Sequence, residues 1–310
     1  MAYAVALPFG QTVSMEVDMR AGRGASLFEA SMPLEVIGRD ILFGEGPAWD
    51  RRRRRLLFTD ICGDNIQTWD AQEGQRIAHA PSGRANGMCM DREGRLVIAG
   101  WGNRTVWRLE ADGTRTTLAS HWQGMKLNSP NDICMRSDGS IFFTDPQGGL
   151  VNVGMVGDDL QKYLDFQGVF RIAPDGVVHL VTDEFVYPNG ICLSPDESLL
   201  YVNDTREKLI RVYDLDAGGR VGPARLFHRQ THPDPGIPDG MKCDAEGNLY
   251  TTGPGGIWVH APDGAVLARL KVPGHPGNFC FGDDDNRTLY VVMLGWLTRT
   301  RVAIPGAVRW

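Results

Sequence analysis

An all-β chain folded as a six-bladed β-propeller is what this 310-residue sequence predicts. Three observations predict it. A short, strand-rich unit recurs at intervals of about 40–50 residues, the spacing of propeller blades. Gly supplies 38 residues, about 12% of the chain against a usual value of roughly 7%, and 18 Pro accompany it, so the chain turns often. No strand pattern is followed by an amphipathic helical run, which disfavours an α/β architecture.

The units follow in order. Each opens on a polar residue and reaches a turn residue, or a near equivalent, five positions later. Glu45 opens EGPAWD, Asn86 opens NGMCMD, Asn131 opens NDICMR, Asn189 opens NGICLS, Asp239 opens DGMKCD and Asn278 opens NFCFGD. The openers stand 41, 45, 58, 50 and 39 residues apart. After each comes a turn and a β-rich run: RLLFTD, GRLVIAG, GSIFFTD, SLLYVND, GNLYTTG and RTLYVVM. The turn signals DREG, RSDG, SPDE and DAEG suit tight hairpins. A third strand follows in most units, as NIQTWD, TVWRLE, GVFRIA, IRVYDL and GIWVHA. The long third interval places an insertion near residues 148–167, within which DDLQKYLDFQ (158–167) suits one or two helical turns. The sixth unit needs a closing strand, and the segment around Leu34–Ile41 is placed to supply it. Residues 1–30 lie outside the repeat as an arm or extra edge segment, which leaves 31–310 as one propeller domain.

Composition narrows the function classes. Hydrophobic residues make up 42% and charged residues 23%, near the averages for globular proteins. No apolar run reaches the roughly 18–20 residues of a membrane helix. The N-terminus has no basic region before its short apolar stretch, so it does not read as a secretory signal, and a cytoplasmic protein is expected. The net charge of −6 argues against nucleic acid and anionic membranes as partners. The run Arg51–Arg55 falls in the expected turn of the first unit and reads as a solvated hairpin. Six cysteines occur without any CxxC spacing, which suits reduced thiols. Five of them (Cys89, Cys134, Cys192, Cys243 and Cys280) sit in apolar runs and read as small core hydrophobes. There is no G-x-S-x-G elbow, so covalent catalysis by serine is disfavoured.

In a propeller the innermost strand of each blade lines the central channel. The openers Glu45, Asn86, Asn131, Asn189, Asp239 and Asn278 therefore converge near one channel mouth. All six carry a side-chain oxygen that accepts, and none is Lys or Arg. As loop residues they would satisfy local backbone groups. As a ring they place two carboxylates in one channel, where they repel unless a positive charge sits between them. The oxygen-only donor set favours one divalent ion, Ca²⁺ foremost, with Mg²⁺, Mn²⁺, Zn²⁺ or Fe²⁺ also admitted.

The segments EGPAWD, LNSPNDICMRSDGSIFFTDP, PNGICLSPDESLLYVND and GIPDGMKCDAEGNLY resemble the sugar-lactone lactonase family of gluconolactonase, regucalcin and luciferin-regenerating enzyme. The resemblance spans roughly residues 34–295. It implies a six-bladed propeller with a divalent metal in the channel mouth. It also implies metal ligation by Glu45, Asn189 and Asp239, with Asn131 beside the metal. Asp239 matches the family's proposed base; the alternative is that metal-bound hydroxide acts without it. Some members place an arginine two residues before that asparagine to hold sugar hydroxyls. Here the position is Ser129, and the nearest candidates for substrate contact are Lys126 and Asn128. Asn86, Asn278 and His275 are the further substrate candidates, His275 because it lies three residues before Asn278. Trp101 and Trp296 follow strand ends, where they either wall an apolar substrate site or pack between strands as core tryptophans.

The resulting expectation is a metal-dependent hydrolase of a small lactone. Its rivals are an aryl-esterase or phosphotriesterase on the same site, and a non-enzymatic propeller that binds a metabolite or Ca²⁺. A monomer or small homo-oligomer fits either case.

Overall fold

The computed structural model describes residues 5–307. Only two short helices occur among them, Arg23–Leu27 and Gly148–Val151; the rest is strands and the turns and loops that join them. Each sheet is a run of antiparallel neighbours. The first comprises Gly44–Asp50, Arg55–Asp60, Asn65–Asp70 and Gly74–His79, in chain order from one edge to the other. The same order recurs from Ala85–Met90 to Arg115–Ala119, from Ile133–Met135 to Val178–Thr182, and from Pro188–Leu193 to Val221–Arg229. A nine-stranded sheet holds the next four strands, Met241–Cys243 to Val266–Leu270, and the last three, Pro276–Gly282, Thr288–Met293 and Gly295–Arg301. Two N-terminal strands join these halves. Ser31–Ile41 pairs with Gly295–Arg301, as the sequence predicts for Leu34–Ile41. Thr12–Met19 lies between Ser31–Ile41 and Val266–Leu270, with Thr12 opposite Glu35 and Val17 opposite Leu270.

The sheets fit a β-propeller. The strand that follows each opener, or contains it, packs on its counterpart in the next unit, and Pro276–Gly282 packs back on Gly44–Asp50. Apolar clusters fill the wedges between successive sheets. Leu57, Ile66, Met88, Ile98 and Trp107 join the first two units. Val97, Val106, Phe143 and Phe170 join the second and third. Cys280, Tyr290, Leu56 and Phe58 join the last sheet to the first. This burial is the main force holding the circuit together.

The polar positions of the repeat serve local jobs. Asp91 Oδ1 accepts from Arg95 N at 2.8 Å, and Asp244 Oδ1 accepts from Asn248 N at 2.9 Å. These carboxylates cap the first hairpin turn of their units, which gives the Asp five residues after the opener a local role; the third and fourth units carry Arg136 and Ser194 there instead. A second Asp ends the second strand and ties down the loop before the opener. Asp60 accepts from Leu42 N and Phe43 N, both at 2.9 Å, Asp145 from Asn128 N at 2.8 Å, and Asp204 from Val186 N at 2.8 Å.

One helical expectation is overturned. Residues 158–167 are not helical. Side chains take the carbonyls that an i→i+4 ladder would need: Arg104 Nη1 donates to Asp159 O at 3.0 Å and to Gln161 O at 2.9 Å, and Lys162 Nζ donates to Phe166 O at 3.1 Å. The helical turn of the insertion lies earlier, at Gly148–Val151. The run Arg51–Arg55 does form a turn, and its guanidiniums are engaged locally. Arg52 donates to Glu93 O and Arg92 O, Arg53 pairs with Asp50 and Arg54 with Asp284. No helix among the described residues is long and apolar enough to cross a membrane.

Candidate active site

The openers meet because adjacent first strands approach closely at the residue after each. Gly46 has φ +50°, and a Cβ there would stand 2.0 Å from Asn86 O; one on Gly190 would stand 2.0 Å from Asp239 O. Side chains of the second strands then fix the opener backbones. Thr59 Oγ1 donates to Asn86 O at 3.0 Å, Thr144 Oγ1 to Asn189 O at 2.7 Å and Asn203 Nδ2 to Asp239 O at 2.6 Å.

With the carbonyls turned sideways into neighbouring units, five opener side chains line one cavity of about 1160 Å³: Glu45, Asn86, Asn131, Asn189 and Asp239. All five are buried. The sixth, Asn278, is not among the lining residues. Its Nδ2 donates to Glu45 Oε2 at 3.0 Å, while its Oδ1 accepts from Phe279 N at 2.9 Å and from Lys242 Nζ at 3.4 Å. It holds a carboxylate rather than facing the cavity. His275 does line the cavity. Lys126 and Asn128 do not reach it. Lys126 Nζ pairs with Asp159 at 2.8 Å, and Asn128 Nδ2 donates to Asp145 O and Phe166 O. Ser129 likewise turns its hydroxyl to Pro146 O.

Burial pushes the Asp239 carboxyl well up from its ordinary range, and the carboxylates of Glu45 and Asp132 push it further. The Asn189 amide and the Lys242 ammonium oppose that shift. Glu45 is likewise raised, first by burial and then by Asp132. Buried acidic groups whose proton affinity is raised by neighbouring carboxylates form an arrangement that a cation relieves. Two further oxygens point the same way. Asn86 Oδ1 and Asn189 Oδ1 are buried and have no hydrogen-bond partner among the described residues. A buried acceptor left unmet costs about 1–3 kcal/mol. Two carboxylates and two unmet amide oxygens fit a hard divalent cation. Among the described residues no three His, Cys, Asp or Glu side chains form a ligating cluster, so any such site must draw on the asparagines.

Sequence reasoning offered Trp101 as a wall residue but missed the rest of the apolar wall and part of the rim. Phe43, Ile61, Trp101, Met155 and Tyr187 pack together beside the openers. Asn152, Val153, Thr205, Arg206 and Lys208 stand around them. The signal was the turn between second and third strands. It lies at the same end as the openers and contributes Ile61, Trp101 and Thr205. Asp132 and Lys242 were also missed. They form an ion pair at 3.9 Å in which Asp132 is buried and Lys242 half-buried.

The sequence and the fold are similar to those of known proteins. A gluconolactonase from Zymomonas mobilis is 35% identical over 304 residues, covering 91% of this chain and 84% of the relative. Regucalcin from Gallus gallus is 26% identical over 292 residues, covering 87% and 91%. Among solved structures, a gluconolactonase from Xanthomonas campestris superposes with a TM-score of 0.86 at 29% identity, covering 96% of this chain and 99% of that one. A calcium-binding regucalcin from Agrobacterium tumefaciens shares the fold, with a TM-score of 0.73 at 22% identity and coverage of 89% and 95%. The profile of the SMP-30/gluconolactonase/LRE-like region matches residues 43–294, from the loop before Glu45 to the end of the last unit's second strand. With all six openers inside that span, the chain belongs to the SMP-30/gluconolactonase/LRE-like family.

Proposed function

We propose that this protein hydrolyses a small lactone in the opener cavity, using one divalent cation, Ca²⁺ foremost. The observation that carries the reading is the set of buried groups there: two carboxylates, Glu45 and Asp239, with two unmet amide oxygens, on Asn86 and Asn189. The gluconolactonase relatives supply the reaction class. We further propose six blades, with residues 31–310 as one propeller and 1–30 as its arm. The closed circuit of first strands supports that count.

Glu45, Asn189 and Asp239 would hold the cation, with Asn86 and Asn131 beside it. When bound, the cation supplies Lewis acidity toward the lactone carbonyl and lowers the pKa of a water. Asp239 is the candidate base: its carboxylate takes the proton of the attacking water, which the departing ring oxygen then needs. Asn278 holds Glu45 in place through the 3.0 Å amide contact. Burial and the Asp239 carboxylate push the Tyr187 phenol up, so it keeps its proton as a donor on the wall. Phe43, Ile61, Trp101 and Met155 limit the water that reaches that side.

Proton release on aldonolactones, simple lactones and aryl esters tests this. Chelated protein is compared with protein given Ca²⁺, Mg²⁺, Mn²⁺, Zn²⁺ or Fe²⁺. The expected result is turnover of one lactone class, lost on chelation and restored by Ca²⁺. Asp239→Ala should abolish that turnover and leave the thermal midpoint intact. An absence of metal-dependent turnover on every substrate would overturn the reading in favour of a non-enzymatic metabolite- or Ca²⁺-binding propeller. The apolar wall and Ser129, turned away where an arginine would hold sugar hydroxyls, favour a second reading, an aryl-esterase or phosphotriesterase. Inert aldonolactones with active aryl esters or phosphotriesters would select it.

A further inference from the structure

The turn between the second and third strands of the fourth unit brings positive charge to the opener cavity. It runs Thr205-Arg206-Glu207-Lys208, and Thr205, Arg206 and Lys208 line the cavity. Its backbone is tied down. Asp204 Oδ1 accepts from Arg206 N at 2.8 Å and from Glu207 N at 2.9 Å, and Gln230 N donates to Lys208 O at 2.8 Å. Thr205 joins the turn to the site: its Oγ1 donates to Pro238 O at 2.7 Å and accepts from Asn189 Nδ2 at 3.0 Å. Arg206 lies over the Tyr187 ring of the cavity wall, with Cζ 5.8 Å from the centroid. A guanidinium and an ammonium thus share a turn that is bonded to the opener Asn189 itself.

The equivalent turns of the first two units use their side chains differently. Asp64, Arg104 and Lys208 each stand four residues after the end of a second strand, with left-handed φ of +52°, +61° and +50°. Asp64 Oδ1 accepts from Arg84 N at 2.6 Å, and Arg104 donates to Leu127 O, Asp159 O and Gln161 O. Those two side chains are committed to neighbouring loops. Among the described residues neither Arg206 nor Lys208 forms an ion pair with a carboxylate. The cation that acts most strongly on Glu45 and on Asp239 is Lys242. His275, the other basic residue of the lining, is kept neutral by burial. A neutral lactone would leave both rim cations without a counter-charge. We propose that the lactone carries an anionic group, a phosphate ester foremost, which pairs with Arg206 and Lys208 while the ring lies over the openers. The proposal rests on the lactone reading for the ring and adds the substituent. Arg offers a planar fork and Lys a point charge to the oxygens of such a group. Two cations match the charge of a phosphate ester, about −1.5 to −2 at pH 7, more closely than the single charge of a carboxylate.

The test is isothermal titration calorimetry of the full-length protein in Ca²⁺, with 1,5-lactams as ring analogues that resist hydrolysis. The probes are the lactams of gluconic acid, of gluconic acid 6-phosphate and of glucaric acid. The quantity read is the Kd of the neutral lactam divided by that of each charged one. Wild type should give a ratio of about 10 or more for the phosphate, and the ratio should shrink as salt is raised. Arg206→Ala should lower it about 3-fold, as should Lys208→Asn, whose new side chain tolerates the left-handed backbone. The double variant should bring it to about 1. Arg220→Ala removes an exposed cation outside the cavity and should leave the ratio as it is. A larger ratio for the glucaric lactam would overturn the phosphate in favour of a carboxylate on the same two cations. A ratio near that of the double variant in wild type, or a wild-type ratio in the double variant, overturns the proposal. Turnover of the matching lactones is followed in parallel. Preference for a charged lactam without turnover overturns hydrolysis alone, binding without preference overturns the anion subsite alone, and binding of no lactam overturns both.

Discussion

Asn278 shows how one residue can matter to a site without facing it. Its amide gives one hydrogen to Glu45 Oε2, and its oxygen is fixed by Phe279 N and Lys242 Nζ. The amide is therefore oriented on both sides and fixes the carboxylate in turn. Removing an outer partner of a metal ligand typically costs 10–100-fold in affinity. Asn278→Ala should weaken Ca²⁺ binding by about that factor, read by competition with a fluorescent Ca²⁺ chelator. An unchanged affinity would mean that Glu45 does not ligate or does not need the contact. The convergence of Glu45, Asn189 and Asp239 on one cavity was legible in the sequence because each opens a unit of a repeat whose register is countable. The true surroundings of Lys126 and Asn128 were not. Asn128 precedes a first strand shortened to Ile133–Met135 and spends its amide on the carbonyls of Asp145 and Phe166, 17 and 38 residues away. Asp132 and Lys242 were hidden for the same reason: their pairing crosses units 110 residues apart in the chain.

Among the elements, the second and third strands were the most legible. RLLFTD and NIQTWD are observed as Arg55–Asp60 and Asn65–Asp70 without a change of boundary. Alternation and turn residues are local signals, and hairpins are local structures. The strand Thr12–Met19 carried no such signal. It belongs to no repeat, and both its partners, Ser31–Ile41 and Val266–Leu270, bring different registers. Its place is set by burial. Met15 and Val17 enter the cluster around Leu34, Leu270 and Val291, and Asp18 meets Arg269 Nη2 at 2.5 Å. Thr12–Met19 thus covers two sheet edges that would otherwise stand unpaired. Met15→Ala should lower unfolding stability by about 2–5 kcal/mol, measured by urea denaturation. Ile77→Ala, on the exposed outer strand of the first sheet, should change it by no more than about 0.5 kcal/mol. Equal, small effects would show that the arm folds apart from the propeller.

At the scale of the whole molecule, closure makes global stability depend on groups far from the cavity. His260 ends the strand Gly256–His260 and is fully buried. Its ring stacks on Trp258 at 6.0 Å and lies 4.5 Å from the His228 ring. Burial, then the neighbouring His228, lowers its pKa from 6.5 to about 3. The unfolded chain therefore binds a proton that the folded chain refuses between those two values. The resulting stability is complete above about pH 6.5 and is lost progressively as pH falls toward 3. Between pH 7 and pH 5 this one ring should remove about 2 kcal/mol. His260→Phe keeps an aromatic ring in the stack and removes the titration. Urea midpoints at pH 7 and pH 5 should then fall less in the variant than in the wild type, by about 2 kcal/mol once converted to free energy. The surface carboxylates titrate alike in both proteins, so they cancel in that comparison. Parallel pH profiles would mean that His260 takes up its proton in the folded state, by admitting water or by swinging out of the stack. The wedge between the fourth and fifth units would then be the propeller's loose joint rather than one of its dry seams.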